Sequence, residues 1–301
     1  MSGLTDRLAE AAVEVLWRQW RAIGGAASGS PVSKQVDPEM LCLGSLAFAD
    51  QEPRLAVVLE DWLRLGARHL STQRARNLAT HIPDGERLAS RLARTALAAA
   101  GDSRWKSLLS RGTIANREKP VRPRSGGPDL LAPPALTLRL RNAFSVGLKA
   151  DLLAFLIGQR IRVSVSTAAE SLGYSVPTVF RGLQDLRASG LVQVTEQMAA
   201  AEYWLDAPTW QPVLGMPYAY WGFWREIFGY VLAIVAWSRK TSHRVSAYAQ
   251  GTSLRTAAHA HAAALVRAAG MDEKVPQPET PTLTEWKDYH RRLATWMVDR
   301  A

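Results

Sequence analysis

Residues 163–205 read VSVSTAAESLGYSVPTVFRGLQDLRASGLVQVTEQMAAAEYWL, and the order of signals in this stretch decides the fold. Thr167 to Leu172 reads as a short helix, capped by Ser166 and stopped by Gly173, because glycine accepts the left-handed conformation that ends a helix. Ser175 caps the next helix, which runs to about Ala188 and stops at Gly190. Leu191–Thr195 and Glu202–Leu205 then alternate apolar and polar side chains as paired strands do. Arg162–Val165, ahead of the helix pair, reads as another short strand. Further upstream, Leu140, Phe144, Leu148, Leu152, Phe155 and Leu156 recur at helical spacing, which predicts one helix from about Leu138 to Gly158 with a core-facing stripe. A helix, a tight helix pair and a two-stranded wing in this order predict a winged helix-turn-helix over residues 137–206.

The helix that opens at Ser175 divides into two faces. Val179, Leu183 and Leu186 fall at i, i+4 and i+7 and form the inward set. Ser175, Val176, Pro177, Thr178, Phe180, Arg181, Gln184 and Arg187 are left on or near the outer side. These residue types suit a major groove. Arg181 offers a bidentate fork for guanine, and Gln184 matches adenine. Thr178 offers a hydroxyl to a base edge, and Pro177 and Phe180 offer apolar contact to thymine methyls. Ser175 and the amides of the first turn suit a phosphate. Arg160 and Arg162 add positive charge beside the unit, as do Arg139, Arg141 and Lys149.

The segment AAESLGYSVPTVFRGLQDLRASGLV resembles the winged helix-turn-helix of bacterial MarR- and ArsR-type regulators. The likeness is carried by Ala168, Ala169, Ser175, Val179, Leu183, Leu186, Gly190, Leu191 and Val192 and covers about a quarter of the chain. It implies binding of double-stranded DNA by the helix at Ser175, transcriptional regulation, and a homodimer built on flanking helices. Three features depart from the pattern. The wing tip Gln197–Ala201 has no Lys or Arg, Asp185 sits on the reading helix, and Gly182 interrupts that helix at a cost of about 1 kcal/mol relative to alanine. Close packing at Gly182 is the alternative use of that residue.

The 301-residue chain carries a net charge of +10. A basic balance favours a polyanionic partner through counterion release, although residues 137–206 are the least basic of the four segments defined here. Residues 1–111 read as an all-helical N-terminal domain. Its helices run from Leu4 to Ile23, with Leu8, Ala12, Val15 and Leu16 on one side, and then open at Asp37–Pro38, Pro53, Ser71, Asp84 and Asp102. The last is expected to reach about Arg111. Residues 112–136 are rich in proline, glycine and basic groups (Arg117, Lys119, Arg122, Arg124) and read as a linker. Residues 207–301 read as a C-terminal helical domain with helices over about 218–239, 243–269 and 283–300. The fold class expected is mainly α, with a small β-wing at the centre.

Other features weigh against alternative chemistries. The single Cys42 lies in an apolar run and reads as a small buried hydrophobe. His259 and His261 do not share a helix face, no Cys/His/carboxylate set has zinc spacing, and the glycine-rich phosphate loop and nucleophile-elbow motifs are missing. No metal, cofactor or enzymatic activity is therefore expected. The apolar run 217–237 has Arg225 and Glu226 near its middle, which argues for a buried or interface helix over a membrane span. Its aromatic residues, Tyr218 to Trp237, fit core packing, a subunit interface or a ligand pocket. Arg87, Arg91 and Arg94 form a stripe and, with Arg74, Arg76, Arg104, Lys106 and Arg111 close by in sequence, make residues 71–111 a basic cluster suited to solvent, a polyanion or an acidic partner. The expected location is the cytoplasm. The alternative function is a protein-binding module, antitoxin-like, that sequesters a partner and binds DNA only for autoregulation.

Overall fold

The computed structural model describes residues 2–109, 126–159, 161–195, 201–215, 218–240, 246–269 and 283–301. The protein is mainly helical with one small antiparallel sheet. The elements run α1 (Ser2–Ala22), α2 (Pro38–Ala47), α3 (Arg54–Gly66), α4 (Thr72–Ala79), α5 (Gly85–Ala100), α6 (Leu136–Phe144), α7 (Leu148–Gly158), β1 (Val163–Ser164), α8 (Val165–Leu172), α9 (Val176–Ala188), β2 (Gln193–Thr195), β3 (Glu202–Trp204), α10 (Ala207–Leu214), α11 (Trp224–Lys240), α12 (Ala247–Ala269) and α13 (Leu283–Arg300).

Capping chemistry sets several starts. Asp37 accepts from the Met40 amide at 3.1 Å with Pro38 in the first turn, and Ser71 accepts from the Arg74 amide at 3.1 Å. Asp84 differs: it sits in the left-handed region and makes no side-chain cap. Asp102 opens a 3-10 turn, Ser103–Leu108, in place of the longer helix expected, and Arg111 lies outside the described residues.

The helices before and after the centre, read from sequence as two domains, draw on one apolar core. Leu8, Ala12, Val15 and Leu16 of α1 are fully buried in it together with Trp62, Phe228, Val231, Trp286, Leu293 and Met297. Full burial of each such Leu, Val or Phe contributes roughly 1.5–3 kcal/mol. Trp20 and Trp62 meet edge to face at 5.6 Å between ring centroids. The aromatic α11 belongs to this core: Trp224, Phe228, Tyr230 and Trp237 are all buried in it.

A second core joins α6 to α9 and the sheet. Leu140, Leu152, Phe155, Leu156, Val163, Leu172, Val179, Leu183, Leu186, Val192 and Tyr203 form it. The strand order is β1-β3-β2, with Val163 and Val194 both opposite Tyr203. Three local expectations change here. The helix expected from Leu138 to Gly158 is broken at Ser145, which has φ 71, and resumes after Gly147. Phe144 is exposed as a result. Helical spacing continues on both sides of the break, so the stripe concealed it. The helix expected at Thr167 starts at Val165, because Ser164 rather than Ser166 caps it and accepts from the Thr167 amide at 3.1 Å. Most of the stretch Pro208–Pro217, which by sequence only connects the wing to the helix expected from 218, lies in α10.

Charged groups with almost no solvent exposure join the two cores. Arg74 forks onto Asp37 at 2.5 Å to each oxygen and reaches Glu39 at 2.8 Å. Arg141 bridges Glu39 (2.6 and 3.1 Å) and Asp151 (2.6 and 3.1 Å) and also donates to the His69 carbonyl. The Tyr174 hydroxyl donates to Asp151 at 2.8 Å, and Arg74 Nε donates to the Leu172 carbonyl at 3.0 Å. Burial works to raise the Glu39 carboxyl, but the Arg141 and Arg74 guanidinium groups outweigh it and hold it below the ordinary range. Buried Gln35 adds bonds to the Ala154 and Ala219 carbonyls. The central unit is thus held at a fixed attitude on the helical body.

Candidate nucleic-acid interface

The division of α9 into two faces follows from its spacing. Val179, Leu183 and Leu186 are buried under α7 and α8, whereas Ser175, Pro177, Phe180, Arg181 and Arg187 are exposed and Thr178 and Gln184 are half-buried. Phe180 keeps 46% of its surface in solvent and Val176 keeps 49%, a large share for apolar side chains on one helical face. Gly173 at φ 72 makes the sharp exit from α8 that lets α9 start within three residues. Gly182 sets the depth of α9: a Cβ there would lie 2.7 Å from Leu148 Cδ2 and 2.8 Å from Leu152 Cδ1. Close packing is therefore its use.

Several side chains have commitments that the sequence did not disclose. The Ser175 hydroxyl pairs with that of Thr178 at 2.8 Å and makes no bond to a backbone amide. The Thr178 amide points to the Ser175 carbonyl at 3.0 Å and Pro177 carries no N–H, so the first turn offers fewer amides to a phosphate than expected. Gln184 donates its amide to the Tyr203 hydroxyl of β3 at 3.0 Å. Arg181 Nε lies 3.4 Å from the Pro177 carbonyl, a weak contact that leaves its fork outward. Arg162 stacks over Trp204 at 4.5 Å. Asp185, expected to repel phosphates, pairs with Lys149 at 2.9 Å across an exposed surface, where such a pair contributes about 0–1 kcal/mol.

The basic groups grouped by sequence separate in space. Arg141 is fully buried in the ionic network and cannot hold a phosphate, and Arg74 leaves the basic cluster of residues 71–111 in the same way. Arg160, Arg117, Lys119, Arg122 and Arg124 lie outside the described residues, as does the wing tip apart from Ala201.

Two concavities flank α9. One, of about 380 Å³, lies against the α6–α7 turn and is lined by Phe144, Lys149, Thr178 and Arg181. The other, of about 630 Å³, separates α9 from the helical body. It brings Gln73 and Asn77 of α4, Thr80 just after it and Arg225 of α11 beside Ser166, Ser175 and Thr178. Sequence reasoning missed these α4 and α11 residues. Nothing local marks them, because they are set beside α9 by the buried Arg74 contact to Leu172. Burial lowers the Arg225 guanidinium from its ordinary value.

No group of three or more His, Cys, Asp or Glu that could hold a metal occurs among the described residues. No helix among them is long and apolar enough to cross a membrane. Cys42 is buried, and that burial pushes its thiol well up, with Glu39 and Asp37 adding to the effect. No family model, curated protein or solved structure matches the chain.

Proposed function

We propose that residues 137–206 form a winged helix-turn-helix that binds double-stranded DNA without enzymatic activity, and that the protein is a transcriptional regulator. The observation that carries this reading is the exposed outer face of α9. Ser175, Pro177, Phe180, Arg181 and Arg187 face solvent while Val179, Leu183 and Leu186 behind them are buried. Helix α9 enters the major groove, where Arg181 reads a guanine and Phe180 touches a thymine methyl. Lys149, beside Thr178 and Arg181, reaches a phosphate by giving up its exposed pair with Asp185. The sequence resemblance to MarR- and ArsR-type regulators supports the same reading. A homodimer set by the C-terminal helices gains no support, because α11 places its apolar faces in the chain's own core.

The test is a selection from random duplexes, followed by fluorescence anisotropy on the enriched site with Arg181→Ala. The variant is expected to bind about 1–3 kcal/mol more weakly and to lose preference at one base pair. Unchanged affinity and unchanged preference would overturn the role given to α9.

A further inference from the structure

A groove of about 1080 Å³ runs between α1 and α3 beside the 26–30 loop and shares no residue with the two concavities at α9. Its floor is apolar: Val13, Trp17 and Val58 line it, and Val57 stands 55% exposed at its edge. Its rim is acidic. Asp6, Glu10 and Glu14 recur every fourth residue, so they share one face of α1, and Glu52 and Asp61 face them from the other wall. The two cations in the groove already have partners, Arg54 within the groove itself. Arg54 forks onto Glu52 at 2.7 and 2.8 Å and lies over the Trp17 ring, and Arg18 donates to the Val298 carbonyl at 2.6 Å. Asp6, Glu10 and Glu14 have no partner among the described residues. From Asp6 to Trp17 the wall is about 17 Å long, the length of three helical turns.

We propose that this groove binds a cationic amphipathic helix of a partner protein. Three turns of such a helix place an apolar stripe on Val13, Trp17 and Val57 and lysines or arginines against the Asp6–Glu10–Glu14 row. Charge selects this occupant. The groove is lined by five carboxylates, Asp6, Glu10, Glu14, Glu52 and Asp61, against two guanidinium groups, Arg18 and Arg54, an acidic balance on a chain of net charge +10. The site does not depend on the DNA-binding reading.

The experiment is fluorescence anisotropy of full-length protein with a labelled three-turn Lys/Leu peptide whose leucines follow helical spacing. Binding by the wild type is expected. The triple variant Asp6→Lys, Glu10→Lys, Glu14→Lys weakens it by at least about tenfold, and Val57→Asp weakens it separately. All four positions are exposed helix-surface sites, so far-UV circular dichroism and the melting temperature stay near wild type and a folding defect is recognised directly. Three results would overturn the proposal. They are no binding by the wild type, equal binding by the triple variant, and equal binding of a peptide with the same lysines in scrambled order. A gain in affinity on neutralising Arg117, Lys119, Arg122 and Arg124 would also overturn it, since the chain's own basic stretch would then be the occupant.

Discussion

Replacing Arg141 by methionine keeps an aliphatic stem in the core and removes the guanidinium that joins the two halves of the molecule. Five hydrogen bonds go with it: two to Asp151, two to Glu39 and one to the His69 carbonyl. Glu39 keeps Arg74 and the Ser71 amide, whereas Asp151 is left with the Tyr174 hydroxyl alone. A buried carboxylate with one neutral donor is uncompensated, and breaking a buried pair in this way costs about 3–5 kcal/mol. That is a large part of a typical total of about 5–15 kcal/mol. Urea unfolding followed by circular dichroism reads it as a lower midpoint. The double variant Arg141→Met, Asp151→Leu removes charge and partner together and is expected to recover most of the loss, less about 1 kcal/mol for the stranded Tyr174 hydroxyl. The pH dependence follows from Glu39. Its folded value is depressed below 4.5, so its contribution is present above the unfolded value and is lost as pH falls through the folded one. The single variant brings that acid loss to higher pH. A cost under about 1 kcal/mol, or no recovery in the double variant, would refute the idea that this cluster holds the halves together.

Glu226 gives the opposite pH sign. It is fully buried on α11, neither oxygen accepts a bond from another residue, and burial lifts its carboxyl to about 7 despite Arg225 at 3.9 Å. Folded stability is therefore complete below the ordinary value of 4.5 and falls as pH rises through about 7. Glu226→Gln should gain on wild type by on the order of 3 kcal/mol at alkaline relative to acidic pH, measured from paired urea midpoints; a pH-independent difference would contradict it. At Gly182, alanine would add about 1 kcal/mol to an open helix. Its Cβ would press on Leu148 and on fully buried Leu152, so we expect no gain and up to about 2 kcal/mol of loss. A raised melting temperature for Gly182→Ala would show that α7 and α9 have room to part.

The two faces of α9 follow from local periodicity alone. Val179, Leu183 and Leu186 had to share a face, and the polar residues between them had to point elsewhere. The same logic placed Leu8, Ala12, Val15 and Leu16 inside. It failed where periodicity is blind to phase breaks: the stripe from Leu140 to Leu156 crosses Ser145 and Gly147 without losing register, and two helices look like one. Capping was ambiguous where hydroxyls crowd, and among Ser164, Ser166 and Thr167 only the extended backbone at Ser164 selects the cap.

Arg74 and Arg141 mark the limit most sharply. Both were counted with surface charge, although Arg74 shares a helix face with buried Leu78 and Arg141 follows buried Leu138 by three residues. The sequence by itself determined most of the helical segments, the apolar side of α1 and where the polar face of α9 lies, because these depend on neighbours within a turn or two. Only the tertiary structure decided that the first and last helices share one core, that α4 flanks α9, and that Asp37, Glu39 and Asp151 meet two arginines from distant segments. Those pairings depend on how whole helix faces stack, and the free energy of a buried charge is set by partners far away in the chain.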